Sequence, residues 1–251
     1  MTALKKIQNY LLPWLDVLAI ASWGILMLRY WHTGKLNLLI HRDYFWLVIA
    51  GGVGLSIVSS LKALELLRKR TIIPDTQHLT LFPPGFSSAL LLSTAILGLV
   101  ITPRVFASQT ALQRGVTDVL QATRSQPQAF RSSVRSEERT LIDWVRTLNV
   151  YPEPDAYSGQ NVKVKGFVIH PAEFPSDYLL LSRFVITCCA ADAYPVGLPV
   201  KLTQNRQVYP QDTWLEVEGK MITQDLQNKR QLTIQASSLK PISEPQNPYE
   251  Y

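Results

Sequence analysis

The chain has 251 residues, of which 47% are hydrophobic and 18% charged, with a mean hydropathy of +0.05. That excludes a disordered or collagen-like protein and leaves enough apolar material for one or two packed units. The formal net charge is +6, but residues 1–104 hold 10 Lys and Arg against 4 Asp and Glu, while residues 105–251 hold 15 against 15. All of the excess therefore lies beside the most apolar third, the pattern of membrane flanks and not of a basic groove, and no nucleic-acid partner is expected.

Three apolar runs come first. Tyr10 to Leu28 is 19 residues with one charge, Asp16, and about 20 residues at a rise of about 1.5 Å each cross a bilayer core. Lys5 and Lys6 precede it, so a cleaved signal peptide is the competing reading. The absence of a small-x-small cleavage site between Trp23 and Trp31, and the apolar runs that follow, favour an anchor. Tyr44 to Leu61 supplies a second span, with Tyr44, Phe45 and Trp46 as an interfacial belt and Gly51, Gly52 and Gly54 allowing close helix approach. Leu81 to Thr102 supplies a third, opened by Pro83 and Pro84 and closed by Pro103. Lys5, Lys6, Lys62, Arg68, Lys69 and Arg70 outweigh Lys35, Arg42 and Arg104, so the positive-inside rule predicts a cytoplasmic N-terminus and an extracytoplasmic remainder after Arg104.

Beyond the spans, apolar residues recur at helical spacing in Leu112, Val116, Val119 and Leu120, and again in Leu141, Ile142, Val145 and Leu148, with Pro127 between the two sets. Ser136, followed by Glu137 and Glu138, suits a helix N-terminus. A linker follows at Tyr151 to Gly159. Five strand-like runs come next: Asn161–His170, Tyr178–Cys189, Ala193–Thr203, Thr213–Thr223 and Gln231–Ile242. Gly166 and Gly219 are placed to let strands bend around a small barrel. The expected fold class is an α+β membrane protein with N-terminal transmembrane helices, a helical stalk and a C-terminal five-stranded OB-like β-barrel; a small open sandwich is the alternative. The expected domains are 1–104 with spans 10–28, 44–61 and 81–102, a stalk and linker over 105–156, the β-domain over 157–242, and a tail over 243–251.

The informative chemistry is Cys188, Cys189 and Asp192. They include the only two cysteines of the chain. Successive strand residues point to opposite faces, so the thiols converge only if the strand ends there. The spacing to Asp192 lets a turn bring the carboxylate in, with His170 a further candidate from the first strand. Thiolate, carboxylate and imidazole suit zinc or another thiophilic ion. Two small core residues, or a strained vicinal disulfide, are the other readings. Asp16, an ionisable group inside a span, is a functional candidate by position, with pairing to another helix as the alternative. His32 and His41 flank the first loop as ion-binding candidates or interfacial residues. Lys163, Lys165, Phe167, Tyr178, Tyr194 and Trp214 offer an OB-type nucleic-acid face, against which the neutral charge of that half argues. No nucleophile elbow, Walker loop, HExxH or nucleotide motif occurs, and no enzyme activity is expected beyond thiol redox chemistry as an alternative.

The run VKGFVIHP (Val164 to Pro171), followed by LLLSRFVITCCAADAYPVGLPV (Leu179 to Val200) and the closing NPYEY (Asn247 to Tyr251), resembles the YcgQ-like family of permease subunits. These are bacterial membrane proteins with a few N-terminal spans and a β-rich C-terminal domain. Ahead of the second span the family carries a His-Pro pair; here His41 is followed by Arg42. The resemblance implies a membrane subunit that works with a polytopic permease and supports Cys188, Cys189 and Asp192 as the functional cluster, without identifying the transported species. Together with the ligand chemistry above, this makes the expected role to capture or hand over a solute at the cytoplasmic membrane, for which a metal ion is the candidate. Arg183 and Phe184 would position the strand leading to that cluster. A thiol redox module and a purely structural assembly subunit are the competing classes.

Overall fold

The computed structural model describes residues 3–68, 83–116 and 135–251. The first residues of the expected third span, and the helical spacing through Val119 and Leu120, lie outside these. The chain divides into two compact units, Met1–Arg104 and Val105–Tyr251.

In the first unit, helix α1 (Ala3–His32) runs through Pro13 and leads by two short 3-10 turns to α2 (Phe45–Leu67). Leu11–His32 and Arg42–Leu67 are long and apolar enough to cross a membrane. Leu18 and Ile25 on α1, and Trp46, Ile57, Leu61 and Leu67 on α2, are all more than half exposed, which supports membrane association. Helix α3 (Phe86–Val100) has 15 residues, about 22 Å at 1.5 Å each, and lies within the expected third span, whose first two residues are outside the described ones. Gly85 in the left-handed region (φ 84°), directly after Pro83 and Pro84, sets its start. Small residues let α1 and α2 approach: a Cβ on Gly52 would lie 3.0 Å from Leu28, and one on Gly24 2.8 Å from the Ser56 hydroxyl. Across α1 and α3, Trp23 Nε1 donates to the Leu91 carbonyl at 2.9 Å and the Tyr30 hydroxyl donates to the Gly98 carbonyl.

The second unit contains α4 (Ser108–Gln113), α5 (Leu141–Val150) and strands β1 (Asn161–Ile169), β2 (Tyr178–Val185), β3 (Tyr194–Lys201), β4 (Trp214–Leu226), β5 (Lys229–Pro241) and β6 (Tyr249–Glu250). The expected five strands become six, because the segment read as a tail contributes β6, parallel to β2 with Phe184 opposite Tyr249 and Val185 opposite Glu250. The sheet is mixed. β1 pairs antiparallel with both β2 and β4, β4 with β5, and β2 with β3, while β3 and β5 run parallel. β4 and β5 form a two-residue hairpin whose Gln227 and Asn228 both have positive φ (55° and 59°), the turn that matches strand twist.

Helix α5 is not free-standing. Its amphipathic face buries Leu141, Ile142, Trp144 and Val145 in one cluster with Val164, Leu181, Val217 and Ile234. Its N-terminus also lies later than Ser136. Thr140 caps the helix by accepting from the Asp143 N–H, and the Asp143 carboxylate accepts from the Thr140 N–H at 3.0 Å. This reciprocal pair sits directly before the first apolar turn, while Ser136–Glu138 forms only a 3-10 turn. A second cluster joins Ala111 and Val116 to Phe167, Phe184, Ile186, Ala193, Trp214 and Tyr249. Phe167, Tyr178 and Trp214 are thereby buried. Lys163 and Lys165 pair with Glu218 and Glu216 at 2.7 and 3.2 Å, so both lysines are neutralised across β1 and β4.

Candidate functional site

β2 ends at Val185, and the chain then turns through Thr187, Cys188 and Cys189 into a 3-10 turn, Ala190–Asp192, before β3. Because the strand has ended, the two adjacent thiols no longer diverge. Both cysteines are free, and their sulfurs lie 3.7 Å apart. Asp192 organises the turn. Its carboxylate accepts from the N–H groups of Cys188 at 2.8 Å, Thr187 at 3.3 Å and Cys189 at 3.4 Å, and from the Thr187 hydroxyl. Three successive N–H groups form a concavity of the kind that holds anions, here filled by the chain's own carboxylate. The Cys189 sulfur accepts from the Asp192 N–H, closing a capping box with a thiol in place of a hydroxyl.

Among the described residues, Cys188, Cys189 and Asp192 form a group whose ligand atoms lie within 4.8 Å of one another. His170 is not part of it. It follows β1, with Nε2 buried and without a hydrogen-bond partner, and burial first, then the Arg206 charge, push its pKa down. Asp16 accepts from the Ser88 hydroxyl on α3, a helix-to-helix polar contact. His32 is exposed at the end of α1. His41 Nδ1 accepts from the Asp43 N–H at 3.2 Å and so caps the turn before α2. Thr187 was missed as a site residue, although its place directly before the cysteine pair marks it as a candidate for holding Asp192.

Burial works against ionisation of Asp192, but hydrogen bonds from Cys188 and Thr187 outweigh it and hold the carboxyl far below the usual carboxylate range. Conversely, its hydrogen bond to Asp192, then its contact with Cys189, push the Cys188 thiol up to about 11. At neutral pH the resting site thus sets the Asp192 carboxylate beside the protonated Cys188 thiol. The signs set the pH dependence. The depressed Asp192 stabilises the fold above its unfolded value of about 4 and loses that contribution as pH falls. The raised Cys188 contributes below its unfolded value of about 8.5 and loses it as pH climbs through its folded value. Asp192→Asn should therefore lower the melting temperature at pH 7, with the gap to wild type narrowing toward pH 3; a gap independent of pH would mean that the carboxylate charge is not what holds the turn.

Residues 120–251, more than half of the chain, match the DUF1980 C-terminal domain, and the chain belongs to that family. No curated protein matches it.

Proposed function

Taking the chain as a DUF1980-family member with this thiol and carboxylate turn, we propose that it is a membrane-anchored accessory subunit of a permease that binds, and hands over, a thiophilic metal ion at Cys188, Cys189 and Asp192. The single observation that carries this reading is the sulfur separation. Two thiolates at about 2.3 Å from a tetrahedral zinc stand roughly 3.8 Å apart, and the thiols here are 3.7 Å apart before any ion enters. The carboxylate also faces the Cys188 sulfur, whose thiol donates to it. An entering ion displaces that proton and the Cys189 thiol proton, both of which leave to solvent, and takes its place among the two sulfurs and the carboxylate. Three donors on a half-exposed turn leave a fourth position for water or for a donor from the permease, which suits exchange better than permanent storage.

The β-domain is read as an OB-like barrel, supported by the pairings that lead from β1 through β4, β5, β3 and β2 back to β1. The charge asymmetry of the chain and its two apolar helices support an anchor in the cytoplasmic membrane with the β-domain outside it. In this reading the protein is a binding module and not an enzyme, and its partners are the bilayer and a polytopic permease.

The test is metal content and thiol state of the full chain purified without chelator or reductant. About one equivalent of zinc or copper, absent from Cys188→Ser and from Cys189→Ser and reduced in Asp192→Ala, is the expected result. Equal metal content in all three variants and the wild type would overturn it. No metal together with no titratable thiols would assign the pair to a vicinal disulfide and the protein to redox chemistry.

A further inference from the structure

The turn carrying the two thiols has a buried shoulder on each side, Ile186 at 1% and Ala193 at 3% exposure. Each shoulder is held by a segment remote in sequence. The Ile186 N–H donates to the Glu250 carbonyl at 3.2 Å. On the other side, Arg114 Nη1 donates to the Ala193 carbonyl, and its guanidinium lies over the Phe106 ring at 4.8 Å. Phe106 in turn packs against Phe184 of β2 at 5.2 Å and Tyr249 of β6 at 6.2 Å. The two holding segments therefore touch each other as well as the turn. Between the shoulders, the side-chain hydrogen bonds converge on Asp192.

A chain left to itself returns toward extended backbone, in which neighbouring side chains point to opposite faces. Keeping two adjacent sulfurs on one side thus requires that both ends of the turn stay fixed. We propose that Arg114, seated on Phe106, and the segment 247–251 are positioning elements of the Cys188/Cys189/Asp192 site, a two-sided clamp that sets the spacing of the thiols. The proposal rests on the metal-binding reading for one of its two readouts only.

The experiment uses the full chain in detergent and compares wild type with Arg114→Ala, Arg114→Lys, Phe106→Leu and a chain stopped after Gln246. The first readout is cobalt(II) affinity and the visible band of the bound ion. Outer-shell partners of metal ligands typically change affinity by about 10- to 100-fold, so Arg114→Ala should weaken cobalt binding by about tenfold or more and shift the band, with partial recovery in Arg114→Lys and an unchanged far-ultraviolet spectrum. The second readout needs no metal: the rate at which iodoacetamide alkylates Cys188 at pH 8, mapped by mass spectrometry, should rise several-fold in Arg114→Ala and in the shortened chain. If wild type takes up no cobalt, the metal reading fails and the clamp is decided by alkylation alone. Alkylation and cobalt binding that match wild type in Arg114→Ala would overturn the clamp. Should that variant not fold, Arg114→Lys and Phe106→Leu decide by the same two measurements.

Discussion

Replacing Arg183 with leucine is expected to cost about 3–5 kcal/mol of stability, the range for stripping one partner from a buried ion pair, and to lower the melting temperature of the β-domain by roughly 10 °C. The side chain is 14% exposed and its partner Glu250 only 7%. Arg183 donates from Nη1 to Glu250 at 3.0 Å, from Nη2 to the carbonyls of Asn247 at 3.0 Å and Tyr249 at 3.2 Å, and from Nε to that of Pro248 at 3.3 Å. The other Glu250 oxygen accepts from the Ile142 N–H at 2.7 Å, in the first turn of α5, where a carboxylate complements the helix dipole. Burial lowers the pKa of Arg183 and raises that of Glu250, each opposed by its partner. Removing the guanidinium leaves a buried carboxyl and three tail carbonyls without their donor. Lysine should recover only part of the loss, since one ammonium does not reproduce a planar fork reaching four acceptors. Leucine at both 183 and 250 should be less damaging than the single change, because no uncompensated charge remains. Thermal unfolding followed by the fluorescence of buried Trp214 measures all three, and a single-variant loss below about 1 kcal/mol would mean that the tail is not held by this pair.

The second large effect is expected at Gly219. Strand β4 carries a bulge between Glu218 and Gly219, and Gly219 lies between β1 and β5, opposite Val162 and Ala236. A Cβ there would stand 2.1 Å from the Gln235 carbonyl oxygen and 2.9 Å from its carbon. These are backbone atoms, so relief requires the ladder to part. Gly219→Ala should cost about 3 kcal/mol, the upper end for overpacking. Gly54→Ala, where nothing lies within 4 Å, serves as the comparison and should be neutral or slightly stabilising through helix propensity. Equal melting temperatures for the two variants would show that the bulge yields freely.

Much of the architecture was legible along the chain, because it rests on periodicity. Unbroken apolar runs marked α1 and α2, alternation as in Val162 and Val164 marked β1, and the helical spacing of Leu141, Ile142, Val145 and Leu148 marked α5. These signals are local: a strand or helix buries one face, and its period records which. The adjacency of Cys188 and Cys189, with Asp192 three residues on, was likewise visible as a pattern of ligand types.

What only the tertiary structure decided depends on contacts between distant residues. Periodicity carried α5 but not its placement under the sheet, which follows from sharing a core with Val164, Val217 and Ile234. NPYEY read as a tail because two paired residues are too few to show a period; Arg183, more than 60 residues away, turns them into β6. Helix α3 begins at Phe86, where Gly85 takes a left-handed conformation after two prolines. The thiols converge because β2 stops at Val185, and Arg114 holds the turn's far shoulder from 79 residues away. The spacing of a residue pair in sequence states which chemistry is present, whereas the angle between their side chains is set by where the backbone is pinned, and those pins come from other parts of the fold.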